Sequence, residues 1–362
     1  MYRDYFGLEG SLIYLDTAST GIVSINGARA AEDILEIMML RGNLPYDEYN
    51  TLLKETRINA AELLNAGENN IGIIPNTTAG VNIVKHTFPD IRHIIVYGRG
   101  FPCTGVPFLF DKKYRMEIQS SDMDVLKKNL KDFHRAIVFV DLVDFLTGKR
   151  QSLPEICRLV HKYDGIIAVD AIQALGSVPV DISKSEVDFL FAGSSKWLMG
   201  PQGSGIIYIA DNHLRKTGEK CAGWLSLDYS NFETFKQLPD PRNEASVVEN
   251  GTRNLMGIAM MNENIKLLLE IGIESVYEYN MTNARILLAQ LEMMGEVSQS
   301  IRDFETPILS LKCRNSKKLL HYLTDRNIIV SYRNESIRFS NHIYNTREDI
   351  EAAVNLLKEY RI

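Results

Sequence analysis

A lysine, an aspartate and an arginine in this sequence stand where such side chains can do chemistry. Lys196 sits in AGSSKWLMGPQGSG, between an apolar run and a turn built from three glycines and a proline. A surface lysine needs no such setting, whereas one held partly desolvated beside a phosphate does. Desolvation favours the neutral amine, the form that can take a proton from carbon. Asp170, in GIIAVDAIQALG, closes an apolar run. A carboxylate at that place is costly unless it meets a positive partner. A protonated ring nitrogen is one such partner, and capping the next turn is the alternative use of an isolated Asp. Lys196 follows one strand, one helix and one strand later, so both groups reach the same edge. Arg338, in SIRFSN, shares one face of an alternating run with Ser340, while Ile337 and Phe339 take the other. A guanidinium there can grip a carboxylate in a bidentate fork.

Three phosphate-site readings compete for the lysine stretch. GPQGSG has the order G-x-x-G-x-G and precedes a strand-like run, SGIIYIA, whereas a dinucleotide fingerprint is G-x-G-x-x-G after a strand. LTGKR, at 146–150, holds a GK pair, but Val143 stands where a Walker A loop needs its first glycine. The third reading is a Schiff-base lysine for pyridoxal phosphate, which asks for a carboxylate, a phosphate cradle and an aromatic cover. PNTTAGVNIVK, at 75–85, offers the cradle. Asn76, Thr77 and Thr78 follow a short apolar run and open a helical pattern, so free N–H groups and two hydroxyls face one anion. A plain helix cap is the other use of that stretch. Ser194 and Ser195 add hydroxyls directly before the lysine.

Such groups need a scaffold that ends several strands on one edge. From about 50 to 210, helical stretches alternate with the apolar runs IGIIP, HIIVYG, AIVFVDL, GIIAVDA, DFLFAGS and GIIYIA. This alternation predicts an α/β sheet buried on both faces, whose carboxyl edge collects ligands. Beyond LPDPR, at 238–242, come two long helical segments, NLMGIAMMNENIKLLLEIG and ESVYEYNMTNARILLAQLEMMG. Two strand-like runs follow, PILSLKC and IIVSYRNESIRFS, then a closing helix opened by a Thr346–Asp349 capping box. The expected divisions are an N-terminal segment near the site (1–20), a large domain (21–254) and a smaller C-terminal α+β domain (255–362).

Composition sets the outer bounds. A chain of 362 residues exceeds what one core usually supports, and 45% hydrophobic with 24% charged residues is ordinary for a globular protein. The net charge of −6 and the scattered basic residues leave no footprint for nucleic acid. No stretch approaches membrane-spanning length and the start lacks a basic region followed by a long apolar run, so a cytoplasmic protein without membrane contact is expected. Cys103, Cys157, Cys221 and Cys313 form no CxxC pair, which predicts reduced thiols and no metal site.

Taken together, these segments resemble the class V aminotransferase family of fold-type I pyridoxal-phosphate enzymes, which includes cysteine desulfurases, selenocysteine lyases, isopenicillin N epimerase-like proteins and kynureninases. The resemblance runs through YLDTASTG, NTTAGVN, TGKRQSLPEICRLVHKYDGIIAVDAIQALGSVPVDI, DFLFAGSSKWLMGPQGSGIIYI, GWLSL, ENGTRNLMGIA and IRFSNHIYNTREDIE. It implies a large domain with a mainly parallel central sheet flanked by helices. It also makes Lys196 the Schiff-base lysine, Asp170 the pyridinium partner and Gln173 a hydrogen-bond partner of the cofactor's phenolic oxygen. Thr77, Thr78 and Ser194 match phosphate ligands, Ser195 takes a position that is often histidine in the desulfurases, and Phe101 falls where relatives stack an aromatic ring on the pyridine. Arg338 matches the arginine that holds an amino acid's α-carboxylate. Thr252 matches a residue that reaches the neighbouring subunit's phosphate, which implies a homodimer with shared active sites.

The implied activity is Cα chemistry on a small α-amino acid, with transamination the expected reaction. Cysteine or selenocysteine β-lyase or desulfurase-like activity and epimerisation are the alternatives. A non-catalytic pyridoxal-phosphate module is a remote one, and the set of Lys196, Asp170 and Arg338 argues against it. Desulfurases of this kind need a mobile cysteine, which in many relatives lies shortly before the arginine. IIVSYRNESIRFS holds none and is too short for its loop. Cys313, further upstream in an apolar strand pattern, reads as a buried structural thiol.

Overall fold

The computed structural model describes residues 2–133, 135–228, 238–300 and 302–360. Seven strands form its main sheet: Ile71–Ile74 (β1), His93–Tyr97 (β2), Arg115–Gln119 (β3), Ile137–Asp141 (β4), Ile166–Asp170 (β5), Phe189–Gly193 (β6) and Gly205–Ile209 (β7). Their order is β1-β7-β6-β5-β4-β2-β3. From β6 through β3 all neighbours are parallel, and β7 runs antiparallel to both β1 and β6.

Alternate residues along β4 and β5 enter opposite cores. Val138, Val140, Ile167 and Val169 join one, and Ile137, Phe139, Ile166 and Ala168 join the other. That is why these strands read as unbroken apolar runs. The edge strand β3, RMEIQ, escapes the sequence pattern because only its last residue is fully buried. Parallel strands deliver their carboxyl ends to one edge. Asp141 and Asp170 are register partners there, and β6 runs out into Ser194, Ser195 and Lys196.

The helices Leu255–Ile271 and Ile273–Leu291 follow the predicted segments, and the first packs on Ile25–Arg41 and Tyr46–Leu64. A second, antiparallel sheet holds Glu296–Val297 (β8), Ile308–Lys312 (β9), Ser331–Arg333 (β10) and Ser336–Ser340 (β11), in the order β10-β11-β9-β8. IIVSYRNESIRFS, a single run to the eye, therefore makes three strands. A tight turn at Asn334 (φ 46°) and Glu335 (φ 64°) folds β10 onto β11. Ile328–Ile329 pairs instead with Ile13–Tyr14, in parallel. The closing helix, Arg347–Glu359, opens with the expected Thr346–Asp349 capping box.

The N-terminal segment ties this second sheet to the edge of the first. Past Tyr14, Asp16 bridges to Ser340, and the Ala18 N–H donates to Ser340 Oγ at 2.9 Å. The Gly21 N–H then donates to the Ser195 carbonyl at 2.8 Å, one residue before the lysine. No helix among the described residues is long and apolar enough to cross a membrane.

Candidate active site

Lys196 is held through its neighbours, which leaves its amine free to act. The Trp197 indole N–H donates to Gln173 Oε1 at 2.9 Å, and the Trp197 carbonyl accepts from His342 Nε2 at 2.9 Å. Two bonds through Trp197 therefore fix the peptide that carries the lysine. Gly176, at φ 97°, allows the close approach, since a β-carbon on it would lie 2.3 Å from the Trp197 carbonyl oxygen. Asn264 Nδ2 adds a bond to the Met199 carbonyl at 2.7 Å. His342 is fully buried, donates from Nε2 and accepts the Asn280 amide on Nδ1 at 3.1 Å, so its imidazole is neutral, and burial pushes it down to about 4.

Among the described residues Lys196 Nζ makes no hydrogen bond. It sits 5.5 Å over the Phe101 ring, which meets Phe145 edge-on at 5.4 Å. Burial lowers the lysine to about 8, with Arg338 and Arg333 adding to that effect and Asp170 opposing it. A lysine so placed is partly neutral near physiological pH and can serve as a base.

Asp170 is 2% exposed. Its Oδ1 accepts the Ile172 N–H at 2.9 Å, and its Oδ2 accepts the Cys103 thiol at 3.6 Å. Burial raises it to about 6, against the pull of the Ile172 N–H and Lys196. Burial foremost, with the charge of Asp170 behind it, drives the Cys103 thiol far above its usual range.

Arg338, whose charge acts on Lys196, is also 2% exposed. Nη1 donates to the Phe145 carbonyl at 2.7 Å, and Nη2 donates to Ser19 Oγ at 2.6 Å, with Asp16 Oδ1 at 3.4 Å. Its buried Nε has no partner. Arg333 stands on the same face of the β10–β11 hairpin and reaches the same Ser19 Oγ at 3.4 Å. Two guanidiniums thus converge on Ser19, with Asp16 as their neighbouring carboxylate.

The remaining predicted residues fall into three groups. Thr77 is buried on the first turn of the helix Thr77–Thr87, and a β-carbon on Gly193 would lie 3.6 Å from its Oγ1, so the cradle and the lysine loop adjoin. Thr78 is exposed on the same turn, and Ser195 is partly exposed beside the lysine. Ser194 and Gln173 are engaged within the protein. Ser194 Oγ lies 2.8 Å from the Pro201 carbonyl and 2.7 Å from Ser204 Oγ, and Gln173 Nε2 donates to the Ala18 carbonyl at 2.9 Å. Thr252 is exposed in a cleft of about 1070 Å³ with Tyr46, Trp224 and Arg253, and none of that cleft's lining residues belongs to the Lys196 cluster.

Sequence reasoning missed Asp16, Ser19, Phe145, His342 and Asp141. The last had a signal, because AIVFVDL ends in Asp after an apolar run just as GIIAVDA does. Cys313 proves partly exposed beyond the end of β9, with its Sγ 3.6 Å from Ser316 Oγ, and not buried as the strand pattern suggested.

The family described as "Aminotransferase class-V" matches residues 14–353. The chain belongs to the class V aminotransferase family. It is 19% identical to an uncharacterized aminotransferase of Bacillus subtilis, over 98% of this chain and 96% of that protein. It is 21% identical to a probable cysteine desulfurase of Ureaplasma parvum, over 99% of this chain and 96% of that protein. Among solved structures it superposes on the protein C-DES, in a Lys-to-Ala variant with glycine covalently linked to pyridoxal phosphate, at TM-score 0.87 with 20% identity and 99% of each chain covered. A second C-DES structure, at TM-score 0.84, 20% identity and coverage of 97% of this chain and 98% of that one, is a complex of this cystine C–S lyase with its product cysteine persulfide. These likenesses fix the fold as fold-type I.

Pyridoxal 5′-phosphate is the family's cofactor, and the residues present fit it. Asp170 is a buried carboxylate answered only by a backbone N–H and a thiol, which leaves a cationic ring nitrogen as its natural complement. Lys196 is an amine without a hydrogen-bond partner at the same edge, beside an exposed face of Phe101.

Proposed function

We propose that this protein is a pyridoxal-phosphate enzyme that removes the α-proton of a small α-amino acid and expels its β-substituent, with cysteine-type substrates first. The observation that carries the Cα chemistry is that Lys196, an amine without a hydrogen-bond partner among the described residues, feels the charge of the buried Arg338 guanidinium and is joined to it through Phe101 and Phe145, so that a base and a carboxylate-binding group come together. When bound, the cofactor supplies an aldehyde for the substrate amine and an electron-withdrawing ring that acidifies the α-proton. Asp170 would hold its ring nitrogen, Phe101 would cover its ring, and Thr77 and Thr78 would face its phosphate at a helix N-terminus. Arg338 grips the carboxylate through its N–H groups left without a partner, Nε foremost, and Phe145, Ser19 and Asp16 hold the guanidinium in place. Lys196, partly neutral near pH 8, accepts the α-proton and can return it to the leaving group.

The sequence reading put transamination first, and the named relatives move C–S cleavage ahead of it. Cysteine desulfurase and cystine C–S lyase chemistry both break a bond at Cβ after the same proton is lost. A protein persulfide plays no part in this reading, because Cys103 faces Asp170 and its thiol proton is firmly held. Transamination is the second reading, favoured by the Bacillus subtilis relative. The holoenzyme is to be incubated with L-cysteine, L-cystine, L-alanine and L-glutamate, while sulfide, persulfide, pyruvate and keto acid are assayed. Sulfur release with pyruvate and no conversion of the cofactor to its amine form supports the lyase. Keto acid with such conversion replaces it with a transaminase.

A further inference from the structure

The sheet edge carries two aspartates side by side, and the chemistry above uses one of them. Asp141 ends β4 as Asp170 ends β5, and the two are Cα partners across the parallel pair. Each oxygen of Asp170 has a donor. Asp141 differs. The Phe101 backbone N–H donates to its carboxyl group, while its Oδ1 is buried with no partner. An ionised oxygen shut away from any donor is costly, and a proton on the group removes most of that cost.

The charged groups facing Asp141 reinforce this. They are Asp170 on β5, Asp144 in the turn after β4 and Lys196 after β6, with the uncharged Cys103 thiol of the helix Pro102–Leu109 beside them. Lys196 alone among them is a cation, and Asp144 is partly answered by Arg99 at 3.4 Å. Burial, then Asp170, pushes Asp141 up to about 8. Carboxyl groups this closely placed give up their protons as a pair.

We propose that Asp141 is a positioning residue of the cofactor site: it carries the proton of a two-carboxyl pair with Asp170 and, by holding or releasing it, sets the negative charge that Asp170 presents to the cofactor's ring nitrogen. The only step is loss of a proton to solvent, so no co-reactant is needed. The inference rests on the family's cofactor and is independent of whether a C–S bond or an amino group is transformed afterwards.

Two readouts other than turnover test it on the full chain freed of cofactor. Infrared spectra below the titration of Asp141 should contain the carbonyl stretch of a protonated carboxyl group, lost in Asp141→Asn and in Asp141→Ser, and fading in the wild type as the pH is raised to about 9. The second readout is binding of 4′-deoxypyridoxine 5′-phosphate, which keeps the ring nitrogen and phosphate but has no aldehyde for Lys196. The affinity of the wild type relative to Asp141→Asn should grow at least about threefold between pH ~6.5 and pH ~9, as the pair gains its second charge. Asp141→Ser, which removes the carboxyl group with a smaller side chain, should behave as Asp141→Asn does. A missing carboxyl band, or an affinity ratio flat across that range in both variants, overturns the proposal.

Discussion

Gly21 and Lys196 touch through their backbones: a β-carbon on Gly21 would stand 2.0 Å from the lysine's carbonyl oxygen. Backbone atoms on both sides leave no flexible group to yield, so Gly21→Ala must displace the lysine segment. We expect a loss of about 1 to 3 kcal/mol of stability together with a marked fall in bound cofactor. Gly7→Ala and Gly251→Ala, which meet nothing within 4 Å, are the controls. A Gly21→Ala protein that melts and binds cofactor like the wild type would refute the contact.

Arg338→Ala should weaken substrates through their α-carboxylate by about 2 to 4 kcal/mol, the cost of removing one partner from a buried charged pair. The loss should fall on kcat/KM for amino acids and spare the corresponding decarboxylated amines. Equal losses for both classes would mean that Arg338 shapes the pocket without gripping the carboxylate.

Arg333→Gln should raise the titration of Lys196, because the guanidinium is one of two that depress it. The measurement is the pH dependence of the rate at which cofactor-free protein captures pyridoxal phosphate, trapped by borohydride. In the wild type the rate should climb through about pH 8. In the variant the inflection should move upward, and an unmoved inflection would place Arg333 outside the field of the lysine.

Cys103→Ala should keep turnover within a few-fold of the wild type, since burial and the Asp170 carboxylate hold the thiol proton in place. Thiol-directed alkylation of Cys103 should be slow for the same reason. A loss of more than about a hundredfold, roughly 2.7 kcal/mol in the barrier, would restore a persulfide mechanism.

His342 supplies the pH prediction for stability. Its folded-state titration lies at about 4, below the 6.5 of a free imidazole. Between those values the unfolded chain binds the extra proton, so stability should fall as pH drops from about 6.5 toward about 4. His342→Asn should be less stable at neutral pH, where it loses the bond to Trp197, yet show a shallower acid slope. Parallel slopes for the two proteins would remove His342 as the titrating group.

The six apolar runs that showed in the sequence all became strands, because a sheet buried on both faces leaves its pattern in every residue. The strand β3 left none, since an edge strand exposed along most of its length needs no apolar run. Lys196 and Asp170 were legible as polar residues ending such runs, and Arg338 as the polar member of an alternating one. Ser19 and Phe145 were not legible. Phe145 contributes through its carbonyl oxygen, which any residue possesses, and Ser19 matters only because the β10–β11 hairpin brings two arginines onto it. His342 was hidden for a different reason, since its task is to bond a backbone carbonyl far away in the sequence. Asp141 carries the same signature as Asp170, an aspartate directly after an apolar run.

The pairing of the N-terminal segment with the second sheet also sets a schedule. Ala18 and Ser340 lie 322 residues apart, and a ribosome adding about 5 to 20 residues per second needs roughly 15 to 65 seconds to make the chain between them. For most of that interval Ile13 and Leu15 have been synthesised but their strand partners, Ile328 and Ile329, have not. The main sheet can form while translation continues, yet the segment that braces the lysine waits for the strand that carries Ser340. A nascent polypeptide halted before Ser340 would hold a lysine loop whose N-terminal neighbour lacks its bond to Ser340, and cofactor capture should be weaker there than in the longer chain.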